Sequence, residues 1–401
     1  MTFKLFLELQ ESWSNSQQRV IQGHGRRRDV PHTKNKKRIK RQLLNPQHHP
    51  KRQVPKNMTI AKQVSNTRVL VAQIPEGVAP NKSHFCTVTV NEAAPELKEG
   101  AIYIQNLVFS LDPYIKFDFA EGATESPVVG FAIAKVLDSK NDSFPIGSTV
   151  SGPARWESFT LIDDPEKLAE VFNLDKALDP ELPLSIYNGV LGLSGLTVWD
   201  SLNKVGDLKK GETIYISSAA GTLGQLAGQL AKRKGLRVIG SAGTDEKVAF
   251  LKNELGFDAA FNYKTQDKRA ALTEAMGSAG IDIYYDITLD DNVEIALDLL
   301  NHYGRIISVG ALALHQGQAP AAPANVVNIL MKQLRYEGYL VYYRYDQFEP
   351  FWKEIAPLVK SGEIKSAETV LHGGIDSIAD SYIRLLNGEY KGKVSVDIRT
   401  A

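Results

Sequence analysis

A run of small residues at positions 218–224 follows a β-branched and aromatic stretch, Thr213–Ile216, that favours a strand. Apolar residues then recur at helical spacing up to Gly235, and a second strand-like stretch follows at residues 237–240. A strand, a tight turn, a helix and a second strand form a unit that binds dinucleotides. Its turn and helix N-terminus let backbone N–H groups approach a pyrophosphate. The first chemistry that the sequence predicts is therefore dinucleotide binding.

The glycine pattern of this turn is incomplete. The dinucleotide fingerprint reads Gly-x-Gly-x-x-Gly, and Ala219 stands at its first glycine position, whereas Gly221 and Gly224 fill the other two. A glycine turn also occurs where it only packs a helix against a sheet, and the motif alone leaves that alternative open. The full order of strand, turn, helix and strand favours the binding interpretation.

The end of the second strand discriminates between NAD and NADP. Proteins that prefer NAD place Asp or Glu there to hold the ribose 2′-hydroxyl, and this carboxylate would repel the 2′-phosphate of NADP. Residues 240–243 read Gly-Ser-Ala-Gly instead. Lys247 in the next predicted helix, with Tyr263 and Lys264 after the third strand, can supply two positive charges and a hydroxyl. The sequence therefore predicts that the cofactor is NADP. The alternative is that Lys247 and Lys264 are ordinary surface residues.

The elements that position these residues fall into three regions. Residues 187–325 alternate strands and helices, which is typical of a parallel sheet with helices on both faces and a ligand at the carboxyl ends of its strands. Residues 58–186 contain short strands separated by Pro- and Gly-containing turns, which indicates a compact barrel-like domain. There Tyr114, in Leu-Asp-Pro-Tyr, is a candidate for a cleft wall, with core packing as the alternative. Residues 326–401 are expected to extend the nucleotide sheet and return to the first domain.

Residues 1–57 carry fourteen Lys or Arg and three Asp or Glu, although the whole chain has a formal net charge of +1. Polar composition without apolar periodicity predicts a disordered arm. Three interpretations remain open: an arm without a role or an upstream extension before Met58; a mitochondrial presequence, against which Glu8 and Glu11 count; and a nuclear address or nucleic-acid patch. Nucleic-acid binding is disfavoured because no aromatic residues are interleaved for base stacking. The expected location is the cytoplasm, with the mitochondrion or nucleus as alternatives.

The composition of the 401 residues, 43% hydrophobic and 23% charged, is that of a soluble globular protein. No apolar run approaches the roughly 18 residues of a membrane span. The single cysteine, Cys86, excludes an intramolecular disulfide and suits a reducing compartment. It also excludes a zinc site with two or more cysteine ligands, and no metal is expected.

Together these motifs resemble the medium-chain dehydrogenase/reductase superfamily. Within it, the chain is similar to the zinc-free branch of leukotriene B4 12-hydroxydehydrogenases, prostaglandin reductases and alkenal double-bond reductases. The resemblance runs from about Thr59 to Ile398 and rests on residues 111–114, 189–197, 218–225, 240–243 with 246–247, 257–258 with 261–264, 282 with 285–286, 304–306 and 335–338. It implies an α/β fold in which a Rossmann-type doubly wound parallel sheet lies beside a β-rich, GroES-like barrel domain. It also implies a homodimer and NADPH-dependent reduction of the C=C bond of an α,β-unsaturated aldehyde or ketone.

The resemblance also assigns roles to residues. Lys247 and Tyr263 would hold the 2′-phosphate, Thr197 would lie beside the nicotinamide, and the backbone of Leu340 and Val341 would meet its carboxamide. The expected cofactor contacts are Thr197, Ala220, Gly221, Thr222, Leu223, Gly224, Ser241, Gly243, Lys247, Tyr263, Gly310, Leu340, Val341 and Tyr390.

The chain departs from the branch at positions near the substrate. Residues 313–315 read Ala-Leu-His where the family has Ser-Gln-Tyr, whose tyrosine is often assigned to polarising the substrate carbonyl. Tyr390 replaces an asparagine that contacts the cofactor, Ser194 a proline and Trp199 a tyrosine. The candidate donors to the substrate oxygen are therefore Tyr114, a ribose hydroxyl of the cofactor and His315. A solvated loop is the alternative place for His315.

Two other functions are open from the sequence. An NADPH:quinone reductase of the same superfamily would transfer the hydride to a quinone. A non-catalytic nucleotide- or RNA-binding protein would grip phosphate with the basic arm, and its affinity would fall steeply with salt. A zinc alcohol dehydrogenase is disfavoured by the cysteine count.

Overall fold

The computed structural model describes residues 63–75, 80–115, 124–316 and 322–399. The arm predicted for residues 1–57 lies outside these described residues. Within them the chain forms a two-stranded, a six-stranded and a seven-stranded sheet. None of the helices in these ranges is long and apolar enough to cross a bilayer.

The first part of the described chain consists mainly of strands. They are β1 (Gln63–Val71), β2 (Phe85–Ala93), β3 (Ile102–Leu111), β4 (Val129–Ser139), β5 (Thr149–Arg155), β6 (Phe159–Ile162) and β7 (Phe172–Asn173), with a short helix α1 (Pro165–Ala169) before β7. β1 pairs with β2, and β3 to β7 pair antiparallel in the seven-stranded sheet. β3 is apolar along most of its length and almost wholly buried, because it lies in the middle of that sheet.

The next part alternates helices and parallel strands. Its elements are α2 (Leu193–Ser201), β8 (Thr213–Ile216), α3 (Thr222–Arg233), β9 (Arg237–Ala242), α4 (Asp245–Asn253), β10 (Ala259–Asn262), α5 (Lys268–Met276), β11 (Ile281–Asp286), α6 (Asn292–Leu299), β12 (Leu300–Ser308), α7 (Leu312–His315), α8 (Asn328–Met331) and β13 (Arg335–Gly338). The strand order is β10-β9-β8-β11-β12-β13. The order reverses between β8 and β11, and a parallel sheet of this kind binds ligands outside the carboxyl ends of the strands at that point. The predicted fold class, a Rossmann-type parallel sheet with a β-rich domain, is confirmed.

The C-terminal part joins both sheets. After β13, the chain forms α9 (Phe348–Lys360), β14 (Glu368–Leu371), α10 (Ile378–Leu386) and β15 (Lys393–Asp397). β13 lies beside β12 at the edge of the parallel sheet. β15 pairs antiparallel with β3 in the seven-stranded sheet, and β14 pairs parallel with β15. α10 packs on the β-rich core, where the rings of Tyr382 and Trp156 meet edge to face with centroids 5.6 Å apart.

One predicted element differs from the structure. The sequence predicts a strand over residues 336–342, but β13 ends at Gly338 and a 3₁₀ turn follows at Val341–Tyr343. The neighbouring strand β12 ends at Ser308, opposite Gly338, and Tyr339 makes the last bond by donating its N–H to the Ser308 carbonyl at 2.9 Å. Beyond that point β12 offers no further backbone partner, and among the described residues no other strand pairs with this edge, so the chain leaves the sheet.

Candidate functional site

A cleft of about 640 Å³ lies at the carboxyl ends of the central parallel strands and extends to the end of β3. This volume is in the range of cofactor and small-molecule sites. The cleft brings together almost all the residues predicted from the sequence. Its lining includes Tyr114, Thr197, Ala220, Gly221, Thr222, Leu223, Gly224, Gly243, Lys247, Tyr263, Gly310, His315, Leu340, Val341 and Tyr390.

Ser241 is the one predicted contact that does not line the cleft. Its side chain is buried and shares a hydrogen bond of 3.0 Å with the Tyr215 hydroxyl, so it lies on the face of the sheet that Tyr215 occupies. Its carbonyl accepts the N–H of Ala219 at 2.9 Å. Ser241 therefore stabilises the glycine-rich turn through its backbone carbonyl and not through its side chain.

The glycine-rich turn is packed too closely for larger residues. A Cβ on Gly224 would lie 2.5 Å from the Cα of Ala219, so α3 could not approach the turn with any side chain there. Gly221 is the N-cap of α3, and no side chain of the described residues caps the first turn of that helix. An anion bound in the cleft would accept hydrogen bonds from the N–H groups of this turn.

A buried amide holds the turn in place. Gln225, on the second turn of α3, donates its Nε2–H to the Ala220 carbonyl at 2.8 Å and accepts the N–H of Ala367 at 2.9 Å. The side chain is 2% exposed, so both bonds are shielded from water. Gln225 therefore fixes the turn to the segment that leads into β14.

A cationic corner lies beside the end of β9. A Cβ on Gly243 would meet the Tyr263 hydroxyl at 3.1 Å and the Lys264 side chain at 3.3 Å, which shows how close these groups are. Lys247 is half-buried and donates its ammonium to the Gly388 carbonyl at 3.1 Å. Two acids begin α4: Asp245 accepts a hydrogen bond of 2.7 Å from the Asn262 amide, and the charge of Glu246 acts on Lys247.

The electrostatics of this corner suit a phosphate. Burial lowers the pKa of Lys247, and the positive charge of Lys264 lowers it further. Two cations held near each other gain from an anion between them. The Tyr263 hydroxyl adds a donor, and burial raises the pKa of its phenol, which keeps it protonated. These residues fit a ribose 2′-phosphate.

The opposite end of the cleft fits a nicotinamide. Thr197, on α2, donates its hydroxyl to the Leu193 carbonyl at 2.8 Å. Gly310 follows β12, and a Cβ there would lie 2.7 Å from the Ile287 carbonyl, so only glycine allows this approach. Leu340 and Val341 follow β13 and complete the wall on the other side.

Tyr114 and His315, the two predicted catalytic residues, line the same cleft. His315 is 9% exposed, at the end of α7, and so does not lie on a solvated loop. α7 is anchored by its backbone, because Ala313 donates its N–H to the Thr288 carbonyl at 2.9 Å. Tyr114 also packs against the β-rich core, so both sequence interpretations of this residue describe part of its environment.

The floor of the cleft holds an ion pair that sequence reasoning missed. Lys393, whose side chain is 2% exposed, donates to Asp112 at 2.5 Å, and the other carboxylate oxygen of Asp112 accepts the Ser110 hydroxyl. The two charged residues are 281 positions apart, so no local pattern could have indicated their pairing. The pair fixes the Leu-Asp-Pro-Tyr turn, and hence Tyr114, to β15.

Across the part of the chain that the structure describes, no group of three or more His, Cys, Asp or Glu side chains could hold a metal ion. Most of the residues that line the cleft are small, apolar, hydroxyl-bearing or cationic, and among the described residues the one carboxylate in the lining, Asp112, is paired with Lys393. A nicotinamide dinucleotide phosphate matches this set at its phosphates and at its nicotinamide.

Comparison with known proteins gives family matches in both parts of the chain. A family model described as zinc-binding dehydrogenase matches residues 222–357, and one described as N-terminal domain of oxidoreductase matches residues 67–171. The NADP(+)-dependent 2-alkenal reductase of Nicotiana tabacum is 33% identical over 83% of this chain and 98% of its own length. Prostaglandin reductase 1 of Bos taurus is 35% identical over 79% of this chain and 94% of its own length.

A solved structure shares the arrangement. CurA from Vibrio vulnificus, in complex with NADPH, is 26% identical and superposes with a TM-score of 0.71. The superposition covers 84% of this chain and 100% of that chain.

Proposed function

The chain belongs to the medium-chain dehydrogenase/reductase superfamily, and on that premise we propose that it is an oxidoreductase that uses NADPH to reduce the C=C bond of an α,β-unsaturated aldehyde or ketone. Reduction adds a hydride to the β-carbon and a proton to the α-carbon, without a metal. One observation carries the proposal: a single cleft is lined both by the cationic corner at Lys247 and by Tyr114 and His315. Relatives named alkenal and prostaglandin reductases support the substrate class.

The residues at one end of the cleft bind the cofactor. NADPH, when bound, supplies the hydride. Lys247, Lys264 and Tyr263 would hold the 2′-phosphate, and the first turn of α3 would hold the pyrophosphate. Thr197 and the backbone of residues 340–341 would flank the nicotinamide.

The residues at the other end act on the substrate. When the β-carbon gains a hydride, negative charge develops on the carbonyl oxygen, and a donor aimed at that oxygen stabilises it. Tyr114 carries a phenol and His315 an imidazole, and both groups are donors in their neutral forms. The lining also contains apolar side chains that suit a hydrocarbon substituent; they are Leu193, Ile287, Val309, Leu312 and Leu340.

The test is a screen of NADPH oxidation by the purified protein with alkenals, enones and simple quinones, and NADH as control. We expect turnover of alkenals or enones with NADPH and little with NADH. Turnover of quinones alone would replace the proposal with quinone reduction. Absence of turnover with every acceptor, together with binding that weakens steeply with salt, would favour a nucleotide- or RNA-binding protein.

We also propose that the protein is a homodimer. β13 is the edge strand of the parallel sheet, and all of its residues are exposed. An apolar surface lies close by in sequence, with Val327 56%, Leu330 76% and Met331 65% exposed. An exposed strand edge beside an apolar surface favours pairing with a second copy. Leu330→Glu should yield a monomer by light scattering, and a dimer that persists would place the contact elsewhere.

A further inference from the structure

A buried carboxylate connects the two walls that flank the nicotinamide end of the cleft. Asp200, at the end of α2, is 4% exposed. It accepts hydrogen bonds from the Tyr339 hydroxyl at 2.7 Å and from Nε and Nη2 of Arg344 at 2.6 and 3.1 Å. Asp200 lies one helical turn after Thr197, which lines the cleft. One side chain therefore contacts both ends of segment 339–344.

Segment 339–344 is partly exposed. It begins where β13 ends, and Tyr339 makes its last backbone bond to the sheet. Leu340 is 61% exposed and Tyr342 is 45% exposed, whereas Val341 between them packs against the core. The carboxylate of Asp200 binds the residues on either side of this partly exposed stretch.

The helix that carries Asp200 is itself fixed. Ser201, the next residue, shares a buried hydrogen bond of 2.9 Å with the Tyr285 hydroxyl of β11. Trp352 of α9 donates its indole N–H to the Leu191 carbonyl, just before α2 begins, at 2.8 Å. α2 can therefore serve as a rigid support for the segment.

The charge state of Asp200 is suited to this task. Burial opposes ionisation, but hydrogen bonds from Arg344 and Tyr339 outweigh burial and hold the pKa of Asp200 below its ordinary value. Burial and the Asp200 carboxylate together raise the pKa of Tyr339, so its hydroxyl stays a donor. The three groups form a charged, hydrogen-bonded unit at neutral pH.

We propose that Asp200 is a positioning residue for the nicotinamide end of the cofactor, and that it sets the separation between Thr197 and the backbone of Leu340 and Val341 by clamping Tyr339 and Arg344 to α2. The inference rests on the proposed use of NADPH. It predicts a defect confined to one half of the dinucleotide, because the cationic corner and the first turn of α3 are held by other partners: Lys247 binds the Gly388 carbonyl, and Gln225 binds the Ala220 carbonyl and the Ala367 N–H.

The experiment compares two ligands by calorimetry with the full chain. NADPH would contact both the cationic corner and the nicotinamide end, whereas 2′,5′-ADP contains only the adenosine half with its 2′-phosphate. Asp200→Asn removes the negative charge, and Arg344→Gln removes the partner from the more exposed side. Arg344 is 26% exposed at its side chain, so its variant tests the inference even where Asp200→Asn folds poorly.

Glu212→Gln is the matched control. Glu212 binds Arg305 with two hydrogen bonds of 2.7 and 2.9 Å and precedes β8, at the end of the sheet opposite the cleft. Its loss removes a comparable ion pair and should lower the free energy of unfolding. It should leave the dissociation constants of both ligands within about twofold of the wild type.

We expect Asp200→Asn and Arg344→Gln each to weaken NADPH binding by about tenfold or more while 2′,5′-ADP binding changes by less than about twofold. Equal weakening of both ligands would show a general structural role and overturn the inference, and so would unchanged NADPH binding. A wild-type protein that binds neither ligand would overturn the proposed function and this inference with it. A wild type that binds both, with no selective defect in the variants, would overturn the inference alone.

Discussion

The methyl group of Ala219 occupies space that Gly240 leaves open, since a Cβ on Gly240 would come within 2.8 Å of the Cβ of Ala219. Ala219 stands at the first glycine position of the fingerprint, and Gly240 lies on the neighbouring strand β9. The glycine missing from the turn is therefore offset by a glycine on the strand behind it. An incomplete fingerprint can still form a tight turn where the surrounding residues make room.

This relationship predicts that Gly240→Ala destabilises the protein. A Cβ at position 240 would clash with Ala219 and, also at 2.8 Å, with the ring of Phe257, and overpacking of a core costs roughly 1–3 kcal/mol. Ala219→Gly in the same chain should restore part of the loss, because Phe257 remains. Urea unfolding of the single and double variants measures the coupling. The control is Gly338→Ala, where a Cβ would meet no atom within 4 Å; equal effects of the two glycine variants would contradict the packing argument.

The sequence predicts what is encoded locally. The strand, turn and helix at residues 213–233 and the cationic corner follow from patterns over short stretches, and the structure brings these residues into one cleft. The pairs Asp112–Lys393 and Asp200–Arg344 are 281 and 144 residues apart, and only the folded chain reveals them. The strand predicted over residues 336–342 was wrong beyond Gly338 because its end depends on where β12 ends. The resemblance assigns Ser241 to the cofactor by its position in the sequence, which does not show which face of β9 its side chain occupies.

Lys247→Ala should weaken NADPH binding and spare NADH. A hydrogen bond to a charged group contributes about 1.5–3 kcal/mol, which corresponds to roughly 10- to 100-fold in the dissociation constant. NADH has no 2′-phosphate, so its affinity should stay within about twofold. Calorimetric titration with both dinucleotides measures the ratio. Lys252→Ala, at an exposed position on the same helix, is the control. If Lys247→Ala weakened NADH binding as much as NADPH binding, Lys247 would not contact the 2′-phosphate.

His315→Ala should lower kcat/KM for an enone by roughly 10²-fold, the usual effect of losing one donor to a developing oxyanion. The dissociation constant of NADPH should change little, because the expected cofactor contacts lie on other elements. Steady-state kinetics and a binding titration separate the two effects. Gln316→Ala, at the adjacent cleft position, serves as the control. Full kcat/KM in the His315 variant would exclude the imidazole, and Tyr114→Phe would then test the other donor.

Glu368 should make the stability of the protein depend on pH. Burial raises the pKa of Glu368, although the Ser185 hydroxyl and the charge of Lys393 counteract it. A carboxyl with a raised folded-state pKa contributes stability at low pH, and this contribution is lost as the pH rises through the folded-state pKa. The free energy of unfolding of Glu368→Gln should therefore rise relative to that of the wild type between about pH 4 and pH 7. Urea unfolding across this range measures how the free energy of unfolding depends on pH, and Glu349→Gln, at an exposed position, is the control. If this free energy depends on pH in the same way for Glu368→Gln and for the wild type, the prediction is wrong.

The Asp112–Lys393 pair should respond asymmetrically to the loss of either partner. Asp112→Asn removes the carboxylate that binds an ammonium whose side chain is 2% exposed, and breaking a buried pair in this way costs about 3–5 kcal/mol. Lys393→Met leaves the Asp112 carboxylate, which is 21% exposed and keeps the hydrogen bond from the Ser110 hydroxyl, so its cost should be smaller. The double variant, which keeps neither charge of the pair, should be more stable than Asp112→Asn alone. Urea unfolding of the three variants measures this order. Equal losses in both single variants would mean that water reaches Lys393, and the pair would then not anchor the turn that carries Tyr114.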